Sequence, residues 1–250
     1  MESVRLARMC AASVPAPATP PFHLAVDDAG EFLVALGDHL TIGHLRSDGA
    51  ALRFLADIES EHARLERRES FHGGVEWTIA AIAGAHLLVN GAGFDAEARV
   101  LRHGDRIELA RNLRFHFRLA ELASSSALFD LEGAAECQGA RRVVLLGQGP
   151  AGRLRIANKR GRAIVVADLE REVVLDLVDG ELEVCCDAGV ALVGTGPRER
   201  RDRVRCALPP AQPICIETWA RGPDRPPFAL TLRPVDPPPA RRVEPHGSHA

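Results

Sequence analysis

Short apolar runs divided by Gly, Asp, Asn and Pro set the pattern of this chain. Glu31 to Leu36, Ala51 to Leu55, Ala63 to Leu65, Val75 to Ile82, Leu87 to Val89, Arg106 to Leu109 and Leu113 to Leu119 each fit a strand. In Leu113-Arg114-Phe115-His116-Phe117-Arg118-Leu119 apolar and polar residues alternate strictly, the mark of a strand with one buried face. Asn90-Gly91 and Gly104-Asp105 are tight-turn dipeptides. Helical periodicity is confined to a short turn expected near Ala120 to Ser126.

The second half has the same texture. Arg142 to Leu146, Ala163 to Val166, Val173 to Leu177, Leu182 to Cys186, Val190 to Val193, Ile214 to Glu217 and Phe228 to Leu232 read as strands. Ala56-Asp57-Ile58-Glu59-Ser60-Glu61 also returns as Ala167-Asp168-Leu169-Glu170-Arg171-Glu172, 111 residues later. That offset is about one domain, and each half closes on an alternating strand, so the chain reads as a tandem repeat. The expected fold is all-β, with two tandem β-sandwich domains at 22–122 and 123–235. A disordered leader over 1–21 and a disordered tail over 236–250 flank them, with the boundary at Ser124-Ser125-Ser126.

Composition narrows the function. At 250 residues and 46% hydrophobic, the chain can bury a sizeable core. The net charge of -3 gives no general attraction for nucleic acid. No apolar run approaches the roughly 20 residues of a membrane span, so no membrane partner is expected. The run Arg198-Glu199-Arg200-Arg201-Asp202-Arg203 interleaves acids and lacks an aromatic platform, so it reads as a solvated loop. Gly147-Gln148-Gly149-Pro150-Ala151-Gly152 lacks the ending of a phosphate loop. The six cysteines (Cys10, Cys137, Cys185, Cys186, Cys206 and Cys215) have no metal-ligand spacing and suit buried, reduced thiols in a cytoplasmic protein. No cofactor, metal site or catalytic motif is expected.

Four pieces carry a family resemblance in order and spacing: Ile42-Gly43, Glu59 to His62, Val89-Asn90-Gly91 and Gly104-Asp105. Residues 23 to 120 resemble a forkhead-associated (FHA) domain, a sandwich of the SMAD/FHA type that reads phosphothreonine through loops at one end. The resemblance implies structural roles for Gly43, His62, Gly91, Gly104 and Asp105. His62 would brace the binding loops.

The residues that meet the ligand depart from the family. His44 stands where the resemblance places a phosphate-binding Arg, Glu59 stands in place of Ser, and Ala85 in place of a peptide-binding Asn. A carboxylate and a phosphate charge about 4 Å apart repel by about 4 kcal/mol at an effective dielectric near 20. The candidate peptide-binding set is therefore His44, Arg46, Glu59, Ser60, Arg64 and Asn90, in altered form. In the second half Gln148 follows Leu146-Gly147, and Val173 falls at the His62 position by the 111-residue offset. The resemblance implies a non-catalytic signalling adaptor or scaffold with a protein partner, such as a phosphoprotein or kinase substrate. Two other readings stay open: a phosphothreonine reader with a pocket rearranged around Arg46, Ser60 and Arg64, and an enzyme on a β-sandwich.

Overall fold

A computed structural model describes residues 19–70, 74–93, 97–121, 124–148, 152–159, 161–194 and 199–235. Residues 1–18 of the expected leader and the whole expected tail lie outside this set. The described chain is all β, without helix. Its first sandwich is built on a sheet of five strands: β3 (His39–His44), β4 (Leu52–Phe54), β5 (Ala63–Glu69), β6 (Val75–Ala81) and β9 (Arg99–Val100), in the order β4-β3-β5-β6-β9. Facing it are β7 (Leu88–Val89), β8 (Ala92–Gly93), β10 (Arg106–Ala110), β11 (Leu113–Leu119), β12 (Ala127–Leu131) and β13 (Arg142–Leu146). The alternation in β11 buries Leu113, Phe115 and Phe117 and leaves His116 exposed. Phe115 packs against Phe129 with ring centroids 4.4 Å apart and planes tilted by 40°, in a core that includes Leu40, Ile42, Phe54, Trp77 and Ile79. Residues 122 and 123 of the expected helical turn lie outside the described set; on either side of them Ser124 N–H donates to the Glu121 carbonyl at 2.9 Å.

The second sandwich comprises β14 (Leu154–Ala157), β15 (Ile164–Val165), β16 (Val173–Val178), β17 (Glu181–Leu192), β18 (Arg201–Ala207), β19 (Ile214–Thr218) and β20 (Phe228–Pro234). β17 pairs β16 over its first half and β19 over its last residues, and between Cys185 and Val190 its register with β18 shifts. Gly189 occupies this bend at φ +99, where the Arg200 side chain leaves no room for a Cβ. Arg201 to Arg203 therefore belong to a strand and not to the expected solvated loop. Val204 and Cys206 are the apolar positions of its alternation, and they lie beyond the charged run.

One three-strand edge is paired alike in the two sandwiches. β3 pairs β4 in parallel and β5 antiparallel, with Ile42 opposite Leu52 and Ala63. β14 pairs β15 in parallel and β16 antiparallel, with Ile156 opposite Ile164 and Val173. Val173 thus corresponds to Ala63, and Glu172, not Val173, holds the His62 position. Between these registers the second loop is two residues shorter, Ile164 to Val173 against Leu52 to Ala63, which a letter-by-letter offset cannot detect.

Two hairpins cross over between the sandwiches. The first, β1 (Phe22–Val26) with β2 (Gly30–Leu36), pairs with β20, the closing strand of the second sandwich, with Leu24 opposite Leu232. The other, β12 with β13, pairs with β11, the closing strand of the first, with Phe129 opposite Phe117. β2 and β13 then pair in parallel, Val34 opposite Val144, and join everything into one large sheet. Leu33, Ala35, Val143 and Leu145 enter the first core, while Phe32, Val34, Leu36, Val144 and Leu146 enter the second. Strands buried on both faces must be apolar at successive positions, which explains the unbroken Phe-Leu-Val-Ala-Leu and Val-Val-Leu-Leu runs. The cores accordingly do not divide the chain at residue 122.

The serine triplet lies buried at this crossing. Trp77 Nε1 donates to the Ser125 carbonyl at 3.0 Å, and Gly147 N–H donates to Ser126 Oγ at 2.8 Å. Arg67 reaches both Asp38 Oδ1 (2.7 Å from Nε) and Ser125 Oγ (3.2 Å). Gly147 and Gly152 pack back to back, so that a Cβ on Gly152 would lie 2.3 Å from the Gly147 carbonyl carbon.

Candidate functional site

Three loops of the first sandwich meet at one end: 45–51 between β3 and β4, 55–62 between β4 and β5, and 82–87 between β6 and β7. Backbone bonds lace them together. Leu45 N–H donates to the Phe54 carbonyl (2.7 Å), His44 N–H to Glu59 (3.0 Å), His62 N–H to Ile42 (2.8 Å) and Ile82 N–H to His62 (2.9 Å). His62 is 4% exposed and adds two further ties. Its Nδ1 accepts from Glu59 N–H at 3.2 Å, which leaves the ring proton on Nε2, and Nε2 donates to the His86 carbonyl at 2.7 Å. One imidazole so fixes the spacing of two loops.

Close approach fixes the third. A Cβ at Gly43 would lie 1.8 Å from the Ser60 carbonyl oxygen, so only glycine lets β3 run under the loop before His62. The Glu61 carboxylate folds over Gly49, with Oε1 2.4 Å from where a Cβ would stand. Ser47 is buried and its Oγ accepts from Ala50 N–H at 3.2 Å. Ser47, Gly49 and Glu61 were not among the residues expected at the site. Their one sequence signal is the turn-forming Ser-Asp-Gly of the 45–51 loop.

The expected ligand residues divide. Arg46, Glu59 and Ser60 are exposed on these loops, beside the half-buried His44. His44 Nδ1 accepts from Arg46 N–H at 3.1 Å, so its Nε2 is the edge left to face a partner. Ala85, in place of the family's Asn, sits in a tight turn with its N–H donating to the Ile82 carbonyl at 3.0 Å. Arg64 lies on β5 opposite Thr41, exposed, with Nη1 3.8 Å from Glu66 Oε1. Asn90 lies past β7 from His86, at φ +55 beside Gly91 at φ +77. Its amide is engaged on both sides: Nδ2 donates to Asp105 Oδ1 (2.8 Å) and Oδ1 accepts from Arg106 N–H (2.9 Å). Asp105 Oδ2 accepts from Arg102 N–H at 2.7 Å, in the turn where Gly104 has φ +93. Asn90, Gly91, Gly104 and Asp105 thus form one turn cluster, separate from the loop end.

In the second sandwich the position of His62 is ionic. Glu172 pairs with Arg155 and Arg162, and both arginines also reach Glu121. Among the described residues no group of three or more His, Cys, Asp or Glu side chains could hold a metal ion.

No protein-family model matches the chain, and no curated protein matches it. Among solved structures it is similar to the Slr1951 protein from Synechocystis sp., at 24% identity over 39% of this chain and 95% of that one, with a TM-score of 0.30.

Proposed function

We propose that the loop end of the first sandwich is a protein-recognition surface of the FHA type that takes an unphosphorylated partner. The protein is then a non-catalytic adaptor or scaffold. The reading rests on the His62 brace, which holds loops 55–62 and 82–87 in one fixed arrangement before any partner arrives. Preorganised loops lose little entropy on binding, which suits them to recognition. The side chains presented there argue against phosphate. Glu59 and Glu61 are exposed beside the single guanidinium of Arg46. A phosphothreonine near -2 would meet two carboxylates where affinity needs cations.

The test is selection from an oriented peptide library, carried out once with threonine and once with phosphothreonine at the fixed position. The expected outcome is a shared motif, bound equally with and without the phosphate. A strong preference for the phosphorylated library, abolished by Arg46→Ala, would replace this reading with that of a phosphothreonine reader. Selection of no motif from either library would remove the loop end as a binding site.

A further inference from the structure

The strands at the margins of the two sheets differ sharply in length. β4, β8, β9 and β15 have two or three residues each, short enough to give an incoming strand little to pair with. β4 is further covered by a bridge from Phe54 to Cys137. β18 has seven residues and, among the described residues, pairs only with β17. In an antiparallel strand, alternate residues aim their N–H and C=O groups away from the existing partner. β18 therefore offers a ladder several bonds long.

Its side chains state what kind of strand fits. Val204 and Cys206 face the core, while Arg201, Arg203 and Arg205 stand outward with side chains 63%, 67% and 44% exposed. On the β17 flank Glu183 Oε2 is 2.9 Å from Arg205 Nε, and Glu183 Oε1 is 3.6 Å from Arg203 Nη1. Glu183 thus lies on the β17 flank of Arg203 and Arg205, Arg201 pairs with Glu199, and Asp179 Oδ2 is 4.0 Å from Arg205 Nη1, while Arg203 has no acid on its outer flank among the ion pairs of the described residues. A second copy of β18 is a poor occupant, because antiparallel self-pairing would set Arg beside Arg on the outward face. A strand with acids at alternate positions would give the arginines acidic neighbours on both flanks.

We propose that the free edge of β18 is a second docking site, which adds an extended segment of a partner protein with alternating acidic and apolar residues. Strand addition gives affinity through the main chain, and the arginine row gives selectivity through charge. The site stands apart from the loop surface of the first sandwich and does not depend on it.

The probe is a seven-residue peptide alternating Glu and Val, applied to the full chain. Its controls are a Lys/Val twin and a Glu/Val twin with N-methyl groups on every second amide. Hydrogen–deuterium exchange is followed at residues 201–207. The Glu/Val peptide should protect amides of β18, and neither twin should. Arg203→Glu with Arg205→Glu should weaken the Glu/Val peptide about tenfold and favour the Lys/Val twin. No protection, equal protection by the Lys/Val peptide, or undiminished binding of the N-methylated peptide would each overturn the proposal.

Discussion

At the residue scale, His62 does the most for the loop end with the fewest atoms. Its buried ring pairs the Glu59 N–H and the His86 carbonyl of two different loops. His62→Ala is expected to lower stability by about 2–4 kcal/mol, read from urea unfolding midpoints. On the proposed reading, the side chains of His44, Glu59 and Ala85 set the ligand while only the backbone of Glu59 meets the His62 ring. Replacing them together by the family's residues, as His44→Arg, Glu59→Ser and Ala85→Asn, should then raise phosphothreonine binding above that of the unaltered protein. Fluorescence anisotropy with the phosphorylated library measures the gain. Burial, with a smaller push from the Glu181 charge, raises the Cys206 thiol to about 11. Between about 9 and 11 the folded chain keeps a proton that the unfolded chain has lost. This contribution to stability is complete below about pH 9 and fades as pH rises toward 11, a loss that urea titrations across that range should record. His62, Gly43 and the Asn90 to Asp105 turn were marked in the sequence by their place in the resemblance, although each acts across the chain, on His86, Ser60 and between two turns. Glu61 over Gly49 belongs to no such pattern and depends on how closely two loops approach.

At the element scale, alternation within a strand was readable and partnership between strands was not. The pattern of β11 marks its buried face from seven letters. Nothing in the letters of β1 and β2 says that they continue from β20 at the far end of the chain. Phe-Leu-Val-Ala-Leu does announce burial on both faces, and that was the available hint. β18 was missed because charge fills its outward and leading positions. The crossing of hairpins makes a sharp prediction for fragments. A fragment of residues 30–146 keeps β2 through β13, with Leu33 and Ala35 in the first core, and should fold, with Trp77 buried. A fragment of residues 22–122 retains the FHA-like region of the sequence but lacks β12 and β13, so it leaves the inner edge of β11 bare and should remain unfolded. Amide proton dispersion in NMR spectra distinguishes the outcomes.

At the scale of the whole molecule, β2 and β13 join the two cores across a single layer. Leu33 and Val34 are sequence neighbours that serve different cores. Truncation of either to alanine should cost about 2–4 kcal/mol. Either change should lower one shared unfolding transition and not split it into two. Trp77 reports on the first sandwich and Trp219 on the second, so within the Trp219→Phe background the emission of Trp77 and the far-UV circular dichroism should share one midpoint, and likewise the emission of Trp219 within Trp77→Phe. Two sandwiches were expected from the letters, although the match of Ala56 to Glu61 with Ala167 to Glu172 falls one residue out of step with the strand registers. Their fusion was hidden, because it is a matter of which hairpin joins which sheet.

The crossed hairpins also govern the order of events on the ribosome. β1 and β2 are made first, yet the strand beside β1 begins at Phe228. At about 5–20 residues per second, roughly 10–40 s pass before that neighbour exists. Through this interval Phe22, Leu24 and Val26 have no sheet to cover them, while the strands of the first sandwich are already in hand. The nascent chain thus carries an uncovered apolar hairpin until Phe228 and its strand follow, and a chaperone acting in that interval has a defined segment to hold.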